Sequence, residues 1–127
     1  MREKLTELLK NSYSPYSKFP VAAIVVMKDG HEFYGVNVEN ASYGATICAE
    51  RSAIVSAISH GYQKGDFKEL YIMVNTEKIS TCCFLCRQVI TELFDKDAKI
   101  TCMSQTDVKE FFVSELCPYP FDEGDLK

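Results

Sequence analysis

The chain has 127 residues, 46% hydrophobic and 25% charged, which fits one compact domain over residues 1–127 with a proper core and argues against disorder. A formal net charge of -4 gives no basic surface for phosphate backbones, so a nucleic-acid partner is not expected, whereas a small neutral ligand is allowed. The polar, mixed-charge start lacks a signal-peptide pattern and the longest apolar run, 19–27, is too short for a bilayer; no membrane association is expected, and a cytoplasmic location is the default.

Leu5, Leu8 and Leu9 recur at helical spacing and predict an amphipathic helix over 3–13, broken by Ser14-Pro15. A buried strand is expected over 19–28. Asp29-Gly30 is a hairpin signal, and residues 31–38 form its partner strand. A polar connection follows from Asn40 to Gly44. Thr46 is the expected cap of a helix over 48–59, with Ala53, Ile54, Ala57 and Ile58 on one face and Gly61 at its end. A third strand covers 68–75. A helix over 83–94 carries Val89, Ile90 and Leu93 inward, and a fourth strand covers 98–103. Residues 108–113 read as either strand or helix. The tail Cys117-Pro-Tyr-Pro-Phe121 is apolar and stiffened by proline. Alternation after the hairpin implies a three-layer α/β/α domain, with a mixed sheet of about five strands and helices on both faces.

Six cysteines need an explanation: Cys48, Cys82, Cys83, Cys86, Cys102 and Cys117. Without a secretion signal, reduced thiols are expected rather than a disulfide framework. Cys102 and Cys117 fit as small buried apolar residues. The cluster at 82–86 does not. Cys83-Phe-Leu-Cys86 at a helix start lets two sulfurs converge on one ion. Cys48, at another helix start some 33 residues upstream, can supply a third. Three protein ligands and an open fourth corner make a catalytic zinc site rather than a structural one. Both helix starts favour the thiolate form. Cys83 is preferred over Cys82 because it alone has the two-residue spacing to Cys86.

Glu50 lies two residues after Cys48, where a carboxylate reaches the metal's surroundings without binding it and can move a proton. Alone it would read as a helix-surface glutamate; the flanking cysteines change that reading. Arg51 can offset the excess charge of three thiolates by hydrogen bonding to a ligand sulfur, and is otherwise an ordinary solvated arginine.

Together, Cys48-Ala-Glu-Arg-Ser-Ala53 and Cys83-x-x-Cys86-Arg-Gln-Val89 resemble the cytidine deaminase family in its small homotetrameric form. The stretches Tyr16-Ser-Lys-Phe-Pro-Val21 and Asn37-Val-Glu-Asn-Ala-Ser-Tyr43 and the tail to Phe121 extend the resemblance across nearly the whole chain. It implies a cytidine deaminase-like fold, one zinc per subunit on Cys48, Cys83 and Cys86, and Glu50 as proton shuttle. It implies hydrolysis of cytidine and deoxycytidine to uridine and deoxyuridine with release of ammonia, in pyrimidine salvage. Phe19, Asn37, Glu39 and Ala49 would contact the substrate, Asn37 and Glu39 at the ribose hydroxyls. Ala41, Tyr43 and Phe121 would reach a neighbouring subunit's site, making a homotetramer with shared active sites. Three departures stand out: Cys82 replaces a proline, Phe84-Leu85 replaces a small pair and needs more room, and Ala22 replaces a glycine. Two rivals remain: a deaminase of another base, nucleotide or single strand, and a non-catalytic zinc module closed by Cys82 as fourth ligand.

Overall fold

In the computed structural model, which describes residues 1–126, the leucine stripe of the N-terminus lies on helix α1 (Arg2–Leu9). Lys127, the end of the expected domain, lies outside those residues. The helix is shorter than expected because Tyr13 is diverted. Its N–H donates to the Asn37 carbonyl (3.1 Å) and its own carbonyl accepts from Glu39 N–H (2.8 Å). Strands β1 (Val21–Met27) and β2 (Glu32–Val36) flank the expected hairpin turn, where Gly30 takes φ 94°. Asn37 leaves the ladder, and Val38 instead bridges Tyr13 and Ile47.

Helix α2 (Ala49–Ser59) has Cys48 at its N-cap. Thr46 does not cap it: its hydroxyl accepts from Asn40 N–H (3.2 Å), bracing the 40–46 connection instead. Gly61, at φ 99°, closes the helix C-terminus as expected. Strand β3 (Phe67–Val74) is followed by α3 (Phe84–Leu93), which runs without a loop into β4 (Phe94–Met103). Strand β4 starts four residues earlier than expected because Phe94 pairs with Phe67, their rings 4.9 Å apart. The ambiguous segment 108–113 is strand β5 (Val108–Phe112), turning directly into a short helix α4 (Val113–Leu116). Glu115 sets that turn by accepting from Phe112 N–H (2.9 Å).

The sheet order is β2-β1-β3-β4-β5. Only β3 and β4 are parallel, joined through α3; the other neighbours are antiparallel. Alternate residues serve opposite faces. On one face Ala22, Ile24, Met73 and Met103 pack with Leu5 of α1. On the other, Ala23, Val25, Leu70, Ile72 and Ile100 pack with Ala53, Ile54 and Ala57 of α2, Ile90 of α3, and Val113 and Leu116 of α4. Each large apolar side chain fully buried here contributes roughly 1.5–3 kcal/mol. Ala22, in place of the expected glycine, is accommodated under α1 with no exposure.

Gly35 sets how closely α2 approaches the sheet. A β-carbon there would stand 2.5 Å from the Ala49 carbonyl oxygen and closer still to the Ala53 amide. Glycine in a strand often marks such a backbone approach, and here it fixes the first turn of α2. Among the described residues, no helix is long and apolar enough to cross a membrane.

Candidate active site

The starts of α2 and α3 face each other across the end of the sheet. Cys48 and Cys83 are the respective N-cap residues. Their sulfurs are 3.6 Å apart, and the sulfurs of Cys48, Cys83 and Cys86 all lie within 4.8 Å of one another. Sulfurs at tetrahedral corners about 2.3 Å from zinc would be about 3.8 Å apart, so the trio fits that ion with little adjustment. Cys82 is not part of the cluster: its side chain packs into the core at 2% exposure, and burial pushes its thiol well above the ordinary range. The closed four-sulfur module therefore has no fourth ligand from Cys82.

Thiol protonation fits a metal centre as well. A hydrogen bond from Cys86 brings Cys48 down to about 5, with Arg51 and Cys83 adding to the effect. Cys86, donor of that bond, is pushed up. The proton between these sulfurs is what a dication displaces on binding. Arg51 Nη2 donates to Cys48 Sγ at 3.5 Å, the contact expected of a charge-neutralising group.

Beside the sulfurs is a cavity of about 310 Å³, whose lining includes Cys48, Cys83, Ala49, Glu50, Phe19, Asn37 and Glu39. Glu50 is only 5% exposed, and burial raises its carboxyl to about 7, with the Cys48 charge acting in the same direction. A carboxyl that titrates near neutrality can both accept and return a proton. Among the described residues, no lysine or arginine lines the cavity.

Asn37 and Glu39 both line the cavity, and both also hold the chain. Asn37 Oδ1 accepts from Val21 N–H (2.9 Å) and its amide donates to the Phe19 carbonyl (2.9 Å). Glu39 Oε1 accepts from the amides of Tyr16 (3.0 Å) and Ser17 (3.1 Å), and its other oxygen accepts from the Ser17 hydroxyl. These bonds hold the Glu39 carboxyl below the usual range, the Ser17 hydroxyl most of all. Lys18, in the same turn, has φ 59°, a strained value that the anchored turn maintains.

Ala41, Tyr43 and Phe121 do not line this cavity. All three are exposed, Phe121 at 57%. The tail backbone is tied to its own chain, where Gln88 Nε2 donates to the Phe121 carbonyl (2.7 Å), while the aromatic rings point outward. Phe84 and Leu85 need no room in the loop: they stand 77% and 67% exposed. Sequence reasoning missed Ser17, Thr81 and Arg87. Ser17 and Thr81 line the cavity, and Arg87 braces the loop that carries Cys83. Ser17 and Arg87 lie inside stretches that carry the resemblance but had no role assigned to them, and Thr81 had no signal at all; Gly35 did, as a glycine inside a strand.

Comparison with known proteins gives a consistent answer. The family model described as the cytidine and deoxycytidylate deaminase zinc-binding region matches residues 1–103. A cytidine deaminase of Halalkalibacterium halodurans is 42% identical over 118 residues, 92% of this chain and 88% of its own. One of Sporosarcina psychrophila is 38% identical over 118 residues, 92% of this chain and 85% of its own. The crystal structure of cytidine deaminase from Burkholderia pseudomallei superposes with a TM-score of 0.89 at 38% identity, covering 94% of each chain.

Proposed function

This chain belongs to the cytidine and deoxycytidylate deaminase family, and from that premise we propose that it catalyses the zinc-dependent hydrolysis of cytidine to uridine and ammonia, with deoxycytidine as a second substrate. The observation that carries this reading is the convergence of three cysteine sulfurs and the buried Glu50 on one cavity. Cys48, Cys83 and Cys86 would hold the zinc, and Arg51 offsets their charge. When bound, zinc supplies Lewis acidity that lowers the pKa of a water towards about 7. Glu50 accepts the proton that this water loses. It would give that proton to the ring nitrogen, then take the second proton from the oxygen now bonded to C4 and give it to the departing amine, so that water is consumed and ammonia leaves. Phe19 and Ala49 pack beside the base. Asn37 and Glu39 meet the sugar with the hydrogen-bonding capacity that their bonds within the chain leave over.

A nucleoside is favoured over a nucleotide. Two carboxylates and no basic side chain line the cavity, so a phosphate would meet repulsion with nothing to pair it. An ultraviolet assay of base loss tests both points. Cytidine should be consumed, its 5′-monophosphate barely at all, and a strong chelator should abolish turnover until zinc is returned. Unchanged turnover in the metal-stripped protein would defeat the reading.

The same reading covers a role in pyrimidine salvage, one catalytic domain over the whole chain, and a reducing, cytoplasmic setting in which all six cysteines stay free. It also includes a homotetramer. Ala41, Tyr43 and Phe121 are exposed and outside the lining of their own cavity, and Tyr119 and Phe121 leave an aromatic surface that a neighbour would cover. Light scattering should give four times 14.4 kDa. Mixing inactive Glu50→Gln subunits with weakened Phe121→Ala subunits should restore part of the activity, since mixed sites can take Glu50 from one chain and Phe121 from another. A fully active monomer would remove the shared-site reading.

A further inference from the structure

The loop that carries Cys83 is held by the buried Cys82 side chain and by Cys83 Sγ, which accepts from Cys86 N–H at the start of α3. Cys82 stands where the deaminase signature has proline, and its N–H donates no hydrogen bond among the described residues. One further side chain ties the loop by several hydrogen bonds. Arg87, one turn into α3, donates from Nε to the Cys82 carbonyl (2.8 Å), from Nη2 to Thr81 Oγ1 (2.8 Å) and from Nη1 to the Leu116 carbonyl at the end of α4 (2.9 Å). The Phe84 ring covers one side of the guanidinium, 4.4 Å from Cζ to centroid. A guanidinium holds its N–H groups in a rigid planar fork, so three bonds in three directions fix the relative positions of Thr81, Cys82 and Leu116.

We propose that Arg87 is a positioning residue that sets the Cys83 sulfur for the metal by clamping residues 81–82 to the end of α4, in place of the restricted φ that proline would give at 82. This rests on the reading of Cys83 as a zinc ligand. Arg87 differs from Arg51 in kind. Arg51 touches a ligand sulfur and acts through charge, whereas Arg87 bonds to the loop backbone, a hydroxyl and α4, and acts through geometry. Phe84 belongs to the same device: it is exposed to solvent on one side and lies along the guanidinium on the other. Leu116 leads into the tail, and Gln88, the next residue of α3, holds the Phe121 carbonyl. Arg87 and Gln88 thereby tie the ligand loop and the tail to one turn of helix.

Geometry and charge separate in Arg87→Lys, which keeps the charge and loses the fork. Zinc affinity, read by competition with a chromogenic chelator on the full chain, should fall about 10–100-fold, the usual cost of losing a partner behind a metal ligand. The thiolate-to-metal bands of the cobalt-loaded variant should shift, because the third sulfur is displaced. Thr81→Val, which removes one of the three bonds and leaves Arg87 intact, should weaken zinc in the same direction by less. Adding Cys82→Pro to Arg87→Lys costs no hydrogen bond and should regain most of the affinity. Wild-type affinity and an unchanged cobalt spectrum in both single variants would overturn the proposal, as would a double variant no tighter than Arg87→Lys alone. Wild-type protein that takes up neither metal would overturn the zinc reading itself, and the clamp with it.

Discussion

Glu50→Gln should retain one zinc per chain and lose turnover by roughly 10²–10⁴-fold, the range that a general acid–base group supplies. The substitution keeps the shape and removes the transferable proton. Glu50 is enclosed beside the sulfurs, and no other carboxyl of the cavity can replace it: Glu39 is held by Ser17 and the 16–17 amides. Loss should therefore fall on kcat rather than KM. A second readout follows from burial. The folded protein raises this carboxyl from 4.5 to about 7, so ionising it costs stability. That cost is absent below the unfolded value, grows as pH rises through 7 and is full above it. Metal-free Glu50→Gln should accordingly melt above the metal-free wild type at pH 8 and level with it at pH 4. Near-normal turnover in the variant would remove Glu50 from the mechanism, whatever the melting curves show.

Much of this architecture is legible in the sequence, and the reasons are local. Leu5, Leu8 and Leu9 have only one helical face to share, Asp29-Gly30 has only a tight turn to make, and Gly61 ends a helix because it alone takes a positive φ without strain. The sulfur trio is legible because two short spacings, 48 to 50 and 83 to 86, each fall at a helix start. What could not be read depends on contacts between distant segments. Strand β4 begins at Phe94 because Phe67 is there to pair with it, 27 positions earlier in the chain. Thr46 is a good cap by residue type but is taken by Asn40, and Cys48 stands at the N-cap instead. Phe84 and Leu85 read as a crowding problem when the loop is considered alone; in the fold one lies along Arg87 and both reach solvent. Asn37 and Glu39 are picked out by the resemblance alone, and their second task, holding the 16–21 segment, depends on Ser17, Phe19 and Val21 arriving there.

Cys83→Ala should lose zinc and all measurable turnover, whereas Cys82→Ala should keep both. The two cysteines are adjacent in sequence but lie in different environments. Cys83 is exposed, caps α3 and puts its sulfur 3.6 Å from that of Cys48; removing it leaves two sulfurs, too few for a tetrahedral site with one open corner. Cys82 faces the core with Ile90 and Cys102, and its protonated thiol behaves as a small apolar group. Trimming it should cost about 1 kcal/mol, typical of a small buried truncation, and shift melting by a few degrees without touching the metal. The backbone carbonyl of Cys82 stays available to Arg87, so the loop remains clamped in Cys82→Ala. Metal analysis and melting on the two variants then give opposite patterns: Cys83→Ala is metal-free and loses the stabilisation that bound zinc confers on the native state, while Cys82→Ala is fully loaded and slightly less stable. Zinc retained in Cys83→Ala and lost in Cys82→Ala would mean that the loop presents the other sulfur, one residue out of the register that places Cys83 beside Cys48.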